Sequence, residues 1–536
     1  MNSKDKIIKA IEEALAKLNV SQKIILTESK GFGDFSTNVA MLLQKQMQKS
    51  ALEVAELVAK NIDKEKYSIK KVEVAKPGFI NFFLETNIYS EEINKINQLG
   101  QNYGKLQQNQ KINLEFVSVN PTGFLHLGHA RGAAVGATLA NILSFAGNQV
   151  TKEYYINDAG NQIDLLGISV FTRYQQHFGL SMQLPEGSYI GDDIKWVAHV
   201  LVKLYGDKYK DADYNDPKIK EFFKYTSVSI LMGQIKRDLK LFGITFDKFF
   251  SERSLYKENK IEKALSRLQN TFKRDNALWL KTTDYGDDKD RVLIKQDGSF
   301  TYFLPDIAYH NEKMQQGVDK MIDVWGADHI GYIKRMEIAI DQLGYDSKTQ
   351  FKVLTCQIVR LMKDGEELKM SKRKGITFTA RELIELVGKD AARFFMVDRS
   401  ENSMLDFDVK LAIEQTQKNP VFMIQYAYAR AKQLLTKADS LNKKLNAKLI
   451  SEETEIKLTN TLREFPELIE KISKNYKIHL LSEYLIKLAK DFNSFYSNSR
   501  VIQNEREESL LALVQATKTV LETGLKLIGV STPERM

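Results

Sequence analysis

Apolar residues recur every three or four positions at the start of the chain, where "MNSKDKIIKAIEEALAKL" carries Ile7, Ile8, Ile11, Leu15 and Leu18. This spacing predicts an amphipathic helix. Two more segments with helical spacing, "VAMLLQKQM" and "ALEVAELVAKNI", precede "KVEVAKPGFINFFL", which is rich in strand-forming residues. The order predicts a small α+β domain over residues 1–105, ending in the polar, linker-like stretch 100–110.

The next segment has the pattern strand, helix, strand. "KINLEFVSV" indicates a buried strand, turn residues follow at 120–123, a helix is predicted to end near Phe145, and Gly147 is placed to cap it. "VTKEYYI" indicates a second strand. A βαβ unit is right-handed with parallel strands and builds doubly wound, Rossmann-like sheets. We therefore predict such a domain over residues 106–410.

The remaining segments complete the predicted fold class. Helices and irregular segments are expected as an insertion at about 167–295, before the sheet resumes at "MIDVWGAD" and "FKVLTCQIVRLM". From 411 to 536 nearly every segment has the apolar spacing of an amphipathic helix. The prediction is an α/β protein, with a Rossmann-like doubly wound parallel-sheet domain between a small N-terminal α+β domain and a C-terminal all-α bundle.

Composition limits the classes of protein that fit. Among 536 residues the one cysteine, Cys356, excludes a disulfide framework and a cysteine-based zinc site, and favours the cytoplasm. The most apolar run, "GAAVGATLANILSFAG", is shorter than the ~20 residues of a membrane-spanning helix, so no membrane role is expected. Lysine and arginine outnumber aspartate and glutamate by 78 to 69, and the net charge of +9 favours polyanionic partners only mildly.

Two histidines stand where the first helix of the sheet begins, in "NPTGFLHLGHARG". His126 and His129 lie three residues apart on one helix face, at a helix N-terminus that attracts phosphate, and Gly128 lets a flat ring approach the backbone. This arrangement suits a bound nucleotide. Two other interpretations stay open at this point. The pair could be half of a metal site, although the sequence has no second segment rich in Cys or His to complete it. The histidines could also have no special role, and the four-residue motif taken alone favours this interpretation.

A second candidate site is the cationic segment in "LMKDGEELKMSKRKGITF". Asp364 and Gly365 predict a hairpin turn, and the chain then carries Lys369, Met370, Ser371, Lys372 and Arg373 within the region of about 363–410. Such a loop can neutralise the charge that develops on a triphosphate. Taken alone, a cationic run is more often a solvated loop.

The histidine pair and "KMSK" together are the signature of class I aminoacyl-tRNA synthetases. The surrounding segments resemble the arginyl-tRNA synthetase family along nearly the whole chain, including "GFGDFSTNVA", "EFVSVNPTGFLHLGHARGAAVG", "YINDAGNQ", "WGADHIGY", "DAARFFMVDRS" and "TPERM". The resemblance implies ATP-dependent ligation of L-arginine to its tRNA through an arginyl-adenylate, with release of AMP and pyrophosphate. It also implies an N-terminal domain that contacts the outer corner of the tRNA, a C-terminal bundle that reads the anticodon, and a first step that requires tRNA.

The resemblance assigns roles to individual residues. The ATP ligands it implies are His126, Gly128, His129, Lys369 and Lys372. The arginine ligands it implies are Glu115, Ser118, Asn120, Tyr302, Asp306 and Asp328. Further motif positions are Asn120, Pro121, Thr122, Gly123, Leu127, Met370 and Ser371. We expect that Mg²⁺ arrives with ATP and that no side chain of the protein binds a metal. We also expect the protein to be a monomer. Arg373 stands where the family's loop motif ends in serine.

The chemistry of arginine supports this choice of residues. A guanidinium is planar, always charged and carries five donors, so a selective pocket needs carboxylates placed for bidentate contact. Asp306 is our candidate for the guanidinium, and Asn120 for the α-amino or carboxylate end. Taken alone, Asp306 fits equally well as an acidic residue in a first helical turn, and Tyr302 as a half-buried strand residue.

Two rival classes of protein share parts of the pattern. An adenylyltransferase of a smaller substrate would use the histidine pair, but would not need a long helical C-terminal domain. A non-catalytic RNA-binding protein descended from a synthetase would bind tRNA without consuming ATP. Pyrophosphate exchange that depends on arginine separates both from a synthetase.

Overall fold

The computed structural model describes residues 3–28, 33–85, 87–368, 378–441 and 443–536. The chain forms two compact units. The first comprises 1–100, 431–463 and 490–519, and the second comprises 101–430, 464–489 and 520–536. Segments of the C-terminal region 411–536 enter both units. The division into three consecutive domains stays a prediction.

The structure contains the following elements in its described ranges. The helices are α1 (Ser3–Lys17), α2 (Val39–Met47), α3 (Ala51–Asn61), α4 (Asn87–Leu99), α5 (Leu127–Phe145), α6 (Asn161–His177), α7 (Asp192–Tyr205), α8 (Pro217–Leu241), α9 (Arg253–Lys257), α10 (Lys260–Arg267), α11 (Phe303–Gln315), α12 (Ile330–Gln342), α13 (Ser347–Gln350), α14 (Ala380–Val387), α15 (Lys389–Phe395), α16 (Val409–Ile413), α17 (Pro420–Ser440), α18 (Glu453–Arg463), α19 (Phe465–Asn475), α20 (His479–Asn498) and α21 (Glu507–Ile528). The strands are β1 (Leu26–Glu28), β2 (Phe35–Thr37), β3 (Ile69–Ala75), β4 (Phe79–Leu84), β5 (Lys111–Glu115), β6 (Gln149–Ile156), β7 (Lys248–Ser251), β8 (Thr271–Arg274), β9 (Ala277–Leu280), β10 (Arg291–Ile294), β11 (Lys320–Gly326), β12 (Phe351–Cys356), β13 (Val359–Lys363), β14 (Glu366–Glu367) and β15 (Leu405–Asp408).

The first unit contains the predicted small α+β arrangement. Its four strands form an antiparallel sheet in the order β1-β2-β4-β3. The helical stripe predicted for α1 is in the core, since Ile7, Ile11 and Leu15 are almost fully buried. At the start of α3, Ser50 and Glu53 cap each other's backbone N–H groups, which fixes where the helix begins.

The second unit is built on a five-stranded parallel sheet in the order β12-β11-β5-β6-β7. Counted along the chain, this order is 5-4-1-2-3, the arrangement of a doubly wound Rossmann-like sheet. The direction of strand addition reverses between β5 and β11. The structure therefore confirms the predicted fold class, and α5 ends at Phe145 with Gly147 at a positive φ of 96°, as expected.

The segment 167–295 differs from the predicted insertion of helices and irregular chain. It contains α7 and α8, but also β7, which is an edge strand of the main sheet, and an antiparallel sheet in the order β10-β9-β8. The four-residue strand Lys248–Ser251 has no long apolar run to mark it. Pairing with β6 makes it a strand.

Two predicted segments divide in the structure. "FKVLTCQIVRLM" forms β12 in the main sheet and then β13, which pairs with β14 and β15 in a separate sheet. The predicted hairpin is confirmed, with Asp364 and Gly365 at φ of 52° and 85°. Within the predicted C-terminal helical region, residues 458–473 divide into the end of α18 and the start of α19 beside Pro466, whose missing N–H is tolerated only in a first helical turn.

Membrane insertion is not indicated by any described helix. None of them combines the length and the apolar character that crossing a bilayer requires.

Candidate active site

The chain turns sharply where β5 ends, next to the reversal of strand order at which doubly wound sheets bind ligands. Val117 and Ser118 have φ of 69° and 41°, a left-handed conformation that costs a residue other than glycine about 1–3 kcal/mol. The neighbouring strand holds this turn, because Ser118 Oγ accepts from the backbone N–H of Tyr155 at 3.0 Å, and the Tyr154 hydroxyl donates to the Val119 carbonyl at 2.8 Å. The turn leads to the start of α5.

The two histidines lie against each other at the N-terminus of α5. The ring centroids of His126 and His129 are 3.3 Å apart. His126 Nδ1 accepts from the N–H of Gly128 at 3.2 Å, and His129 Nδ1 accepts from the N–H of His126 at 3.2 Å. An imidazole whose Nδ1 accepts carries its proton on Nε2, so each ring has one N–H to offer a ligand. Burial lowers the pKa of both rings, that of His129 to about 3, so both are neutral near pH 7.

Glycines allow the close packing of this helix start. A Cβ on Gly128, which is exposed, would lie 3.1 Å from His126 Cε1. Two turns further along α5, a Cβ on Gly136 would overlap the ring of Phe116, the first residue after β5. The helix therefore packs closely against the Phe116 side chain, directly after the end of β5.

The cationic loop lies outside the described residues. It contains the predicted site residues Lys369, Met370, Ser371, Lys372 and Arg373. The roles of these residues stay predictions.

The chain that follows the cationic loop is hydrogen-bonded to the histidine motif. Leu127 N–H donates to the Phe378 carbonyl at 2.9 Å, and Ala380 N–H donates to the Leu125 carbonyl at 2.8 Å. Lys372 precedes Phe378 by six residues, which span at most about 20 Å when extended. The bridge thus joins the histidine motif to the first described residues after the loop.

Arg131 joins the same helix to the sheet formed by β14, β13 and β15. Its guanidinium is fully buried and donates to the carbonyls of Gln357 at 3.0 Å, Ser400 at 2.8 Å and Ser403 at 2.6 Å. These acceptors precede β13 and β15. The first turns of α5 are thereby fixed to the sheet from which the loop departs.

Three carboxylates gather at the carboxyl ends of β6 and β7 and the start of α11. Asp158 accepts from Ser251 Oγ at 2.6 Å, and Asp306 accepts from the Tyr332 hydroxyl at 2.7 Å. Burial raises the pKa of Asp306. Burial, reinforced by the charges of Asp306 and Asp158, raises the pKa of Glu252 to about 7. Within the described ranges none of the three forms an ion pair, so this pocket suits a cation.

Glu115 is buried at the end of β5 and pairs with Lys313 of α11. Lys313 also contacts Asp323 of β11 at 2.9 Å. Burial raises the pKa of Glu115, against the pull of Lys313. The predicted arginine ligand is therefore already paired with a cation of the protein.

The other predicted residues differ in their surroundings. Asn120 is half-buried and donates from Nδ2 to Gln162 Oε1 at 2.6 Å. Tyr302, directly before α11, is 71% exposed. The side chain of Asp328 is 81% exposed beside His329, in a short 3₁₀ turn. Its surroundings give no support to a ligand role, which stays a prediction.

The motif residues before the histidines form a compact turn. Pro121 is buried. Thr122 N–H bonds to the Asn120 carbonyl at 2.7 Å. A Cβ on Gly123 would overlap the carboxylate of Asp193, at the N-terminus of α7. The inserted helices thus contact the turn that precedes α5.

Sequence reasoning missed Glu252, Arg131 and Lys313. The first directly follows a strand, as ligand-binding acids in parallel sheets do, and assigning β7 would have indicated it. The other two carry no local signal, because their partners are far away along the chain.

Comparison with known proteins identifies the family. Three family models match the chain: "Arginyl tRNA synthetase N terminal domain" at residues 4–84, "tRNA synthetases class I (R), catalytic domain" at 92–417, and "DALR anticodon binding domain" at 424–536. The arginine–tRNA ligase of Mycoplasma mobile is 53% identical over 534 residues, covering 99% of each chain. That of Mesomycoplasma hyopneumoniae strain 7448 is 46% identical over 538 residues, covering 99% of this chain and all of the relative.

Solved structures agree on the fold. The arginyl-tRNA synthetase of Thermus thermophilus superposes with a TM-score of 0.76 at 21% identity, covering 99% of each chain. With a parallel-sheet domain, a histidine pair at its first helix and family matches along the whole length, the chain belongs to the arginyl-tRNA synthetases of class I.

Proposed function

We propose that the chain joins L-arginine to its tRNA in two steps, using ATP, at the carboxyl ends of β5, β6 and β7. The arginine carboxylate attacks the α-phosphate of ATP, forming arginyl-adenylate and releasing pyrophosphate. The 2′-hydroxyl of the terminal adenosine of the tRNA then takes the arginyl group, and AMP leaves. The observation that carries this proposal is the histidine pair at the start of α5, which offers two neutral imidazole donors and is hydrogen-bonded to the chain that follows the cationic loop.

His126 and His129 serve the ATP phosphates. Each donates from Nε2, since each Nδ1 already accepts from the backbone. Gly128 provides the bare surface for the adenine, and Lys369 and Lys372 neutralise the charge that develops on the α-phosphate and on pyrophosphate. One such donor is worth on the order of 10²- to 10³-fold in rate. No covalent nucleophile is needed, because positioning and electrostatic stabilisation suffice.

Mg²⁺ enters as part of the nucleotide substrate. We assign the ion to the phosphates and propose no protein ligand for it.

Asp306 and Glu252 bind the guanidinium of arginine. Both carboxylates are close enough for Asp306 to raise the pKa of Glu252, and a planar cation with five donors can satisfy two carboxylates at once. Glu115, Ser118, Asn120 and Tyr302 complete the arginine site, with Asn120 at the α-amino or carboxylate end. Asp328 keeps its predicted place in the same site.

The outer domains contact the tRNA. We assign the outer corner of the tRNA to the N-terminal α+β domain and the anticodon to the C-terminal bundle, consistent with the family models that match there. We expect a cytoplasmic monomer.

A charging assay with labelled arginine and unfractionated tRNA tests the proposal. We expect ATP-dependent incorporation of arginine into tRNA, and pyrophosphate exchange that requires both arginine and tRNA. Exchange without either substrate would favour an adenylyltransferase. Salt-sensitive tRNA binding without ATP consumption would identify a non-catalytic RNA-binding protein.

A further inference from the structure

Three acidic residues form a row across the centre of the parallel sheet. Glu115 of β5 is the register partner of Asp323 on β11 and of Glu153 on β6. Register partners on neighbouring strands lie on the same face of the sheet. All three are buried, with exposed fractions of 7%, 0% and 0%. Adjacent buried carboxylates are costly unless cations pair with them.

Two lysines form ion pairs with the three acids of this row. Lys248 pairs with Glu153 at 3.2 Å. Lys313 pairs with Glu115 and, at 2.9 Å, with Asp323 Oδ1, and its ammonium lies 4.4 Å from the ring centre of Tyr309. Lys248 is about one third exposed, whereas Lys313 is fully buried. One ammonium is therefore the shared counter-ion of two carboxylates.

The same network fixes the helix that carries Asp306. His310 Nε2 lies 2.9 Å from the other oxygen of Asp323, and His310 Nδ1 lies 2.7 Å from the Asp306 carbonyl. Positions 306, 310 and 313 are on one face of α11. The face that presents the proposed guanidinium ligand is thus fixed to the ends of both central strands.

Of the residues around Lys313, Glu115 is more exposed than His310, whose side chain is 5% exposed. The Glu115 side chain is 10% exposed, whereas those of Lys313 and Asp323 are 0% exposed. A carboxylate held from behind by an ammonium keeps both its charge and its direction, whereas an unpaired buried carboxylate takes up a proton or turns away. A buried ion pair is weak evidence for stability, so a role in presenting Glu115 explains Lys313 better than a gain in folding energy.

We infer that Lys313 is a positioning residue for arginine binding, which acts by holding Glu115 charged and directed into the pocket. This inference rests on the proposed role of Glu115 as an arginine ligand. It adds that a resident cation, itself out of reach of the substrate, sets the affinity of the site for the cationic amino acid.

Steady-state kinetics of tRNA charging test the inference. We expect Lys313→Met to raise the arginine KM by about tenfold or more while the ATP KM changes by less than about twofold. Lys313→Arg, which keeps a cation, should recover most of the arginine affinity. Lys248→Met is the matched control, since it removes the lysine of the neighbouring acid in the same row, and its arginine KM should match the wild type.

A double-mutant cycle shows whether Lys313 acts through Glu115. If it does, the increases in arginine KM caused by Glu115→Gln and Lys313→Met should not multiply, and the arginine KM of the double variant should resemble that of Glu115→Gln alone. Lys313→Gln, which keeps hydrogen-bond donors without the charge, is measured in parallel and carries the test if the methionine variant does not fold.

The outcomes separate the two proposals. An unchanged arginine KM in Glu115→Gln would refute Glu115 as a ligand, and with it the proposed arginine site at this position. Two results would overturn the inference about Lys313 but leave the arginine site standing, provided that Glu115→Gln raises the arginine KM. One is an unchanged arginine KM in the folded Lys313 variants. The other is a double variant in which the two increases in arginine KM fully multiply.

Discussion

The position of one proton on each imidazole determines how the histidine pair binds an anion. Both Nδ1 atoms accept from backbone N–H groups, so His126 and His129 act as neutral donors. Two neutral donors orient phosphate oxygens without adding charge to the site. The cationic part of the task is therefore left to the lysines of the loop, and the two motifs have complementary roles.

The donor role of His129 can be separated from its contact with the backbone. In His129→Asn the side-chain oxygen can still accept the His126 N–H, but the Nε2 donor is gone. We expect both His129→Asn and His129→Ala to lower the activation rate by at least about tenfold, since both remove a phosphate donor. Pyrophosphate exchange with tRNA present measures the rate, and thermal unfolding checks the fold. If the asparagine variant were nearly as active as the wild type and only the alanine variant were slow, His129 would act by accepting the His126 N–H and not as a phosphate donor.

Glu252 should make arginine use depend on pH. Its pKa is raised to about 7 by burial and by the charges of Asp306 and Asp158, so it is largely protonated at pH 6 and largely charged at pH 8. Because only the charged form attracts a guanidinium, kcat/KM for arginine should rise as the pH rises through 7. The conservative variant Glu252→Gln should lower kcat/KM and remove that step. A step of unchanged size in the variant would assign the titration to another group.

At the scale of elements, α5 determines the geometry of the site. Its first turn carries the histidines, its bridge to residues 378–380 receives the chain from the loop, and its third turn is in contact with the end of β5. The helix could be predicted from sequence because its apolar run, turn residues and Gly147 are all local signals. The hairpin at Asp364 was predictable for the same reason.

Two glycines in α5 provide a matched pair of substitutions. A Cβ at Gly136 would overlap Phe116, so we expect Gly136→Ala to lower the free energy of unfolding by about 1–3 kcal/mol through overpacking. A Cβ at Gly132 meets nothing within 4 Å, so Gly132→Ala should be neutral or stabilise the protein by up to about 1 kcal/mol through helix propensity. Denaturant unfolding of both variants measures the difference. Equal values would contradict the close packing of α5 on β5.

Sequence reasoning stops where function depends on which strands become neighbours. Asp306 and Glu115 were named from a motif, but their partners Glu252 and Lys313 are brought to them by β7 and α11 from distant parts of the chain. A short strand such as β7 has too few residues for a clear period, and a lone lysine in a helix resembles any solvated one. The exposure of Asp328 likewise follows from a short 3₁₀ turn that its flanking residues do not reveal.

At the scale of the whole molecule, the chain's ends are part of its two compact units. The unit that holds the parallel sheet includes 464–489 and 520–536. Within it, the buried guanidinium of Arg393 donates from Nε and Nη2 to the Ile528 carbonyl at 2.9 and 2.6 Å, and Asn141 of α5 donates to the Leu527 carbonyl at 3.0 Å. The C-terminal segment is therefore structural support for the catalytic unit as well as part of the bundle.

Truncation should consequently do more than abolish tRNA charging. We expect a chain ending at Lys418 to lose cooperative unfolding and ATP binding together, because Arg393 and the end of α5 lose their partners. Circular dichroism and nucleotide binding measure this. A truncated protein that unfolds cooperatively and binds ATP would show that the parallel-sheet domain is independent of the helices after it.

The Arg131 contacts have a consequence for how the enzyme tolerates mutation. In the part of the chain that the structure describes, the hydrogen bonds of this guanidinium go to main-chain oxygens, so the side chains at 357, 400 and 403 can vary without removing the connection between α5 and the sheet of β13 and β15. Position 131 has no such freedom, since a lysine offers one nitrogen where a planar fork reaches three acceptors. We therefore expect substitutions to be tolerated at the three positions that supply carbonyls and to be disruptive at position 131.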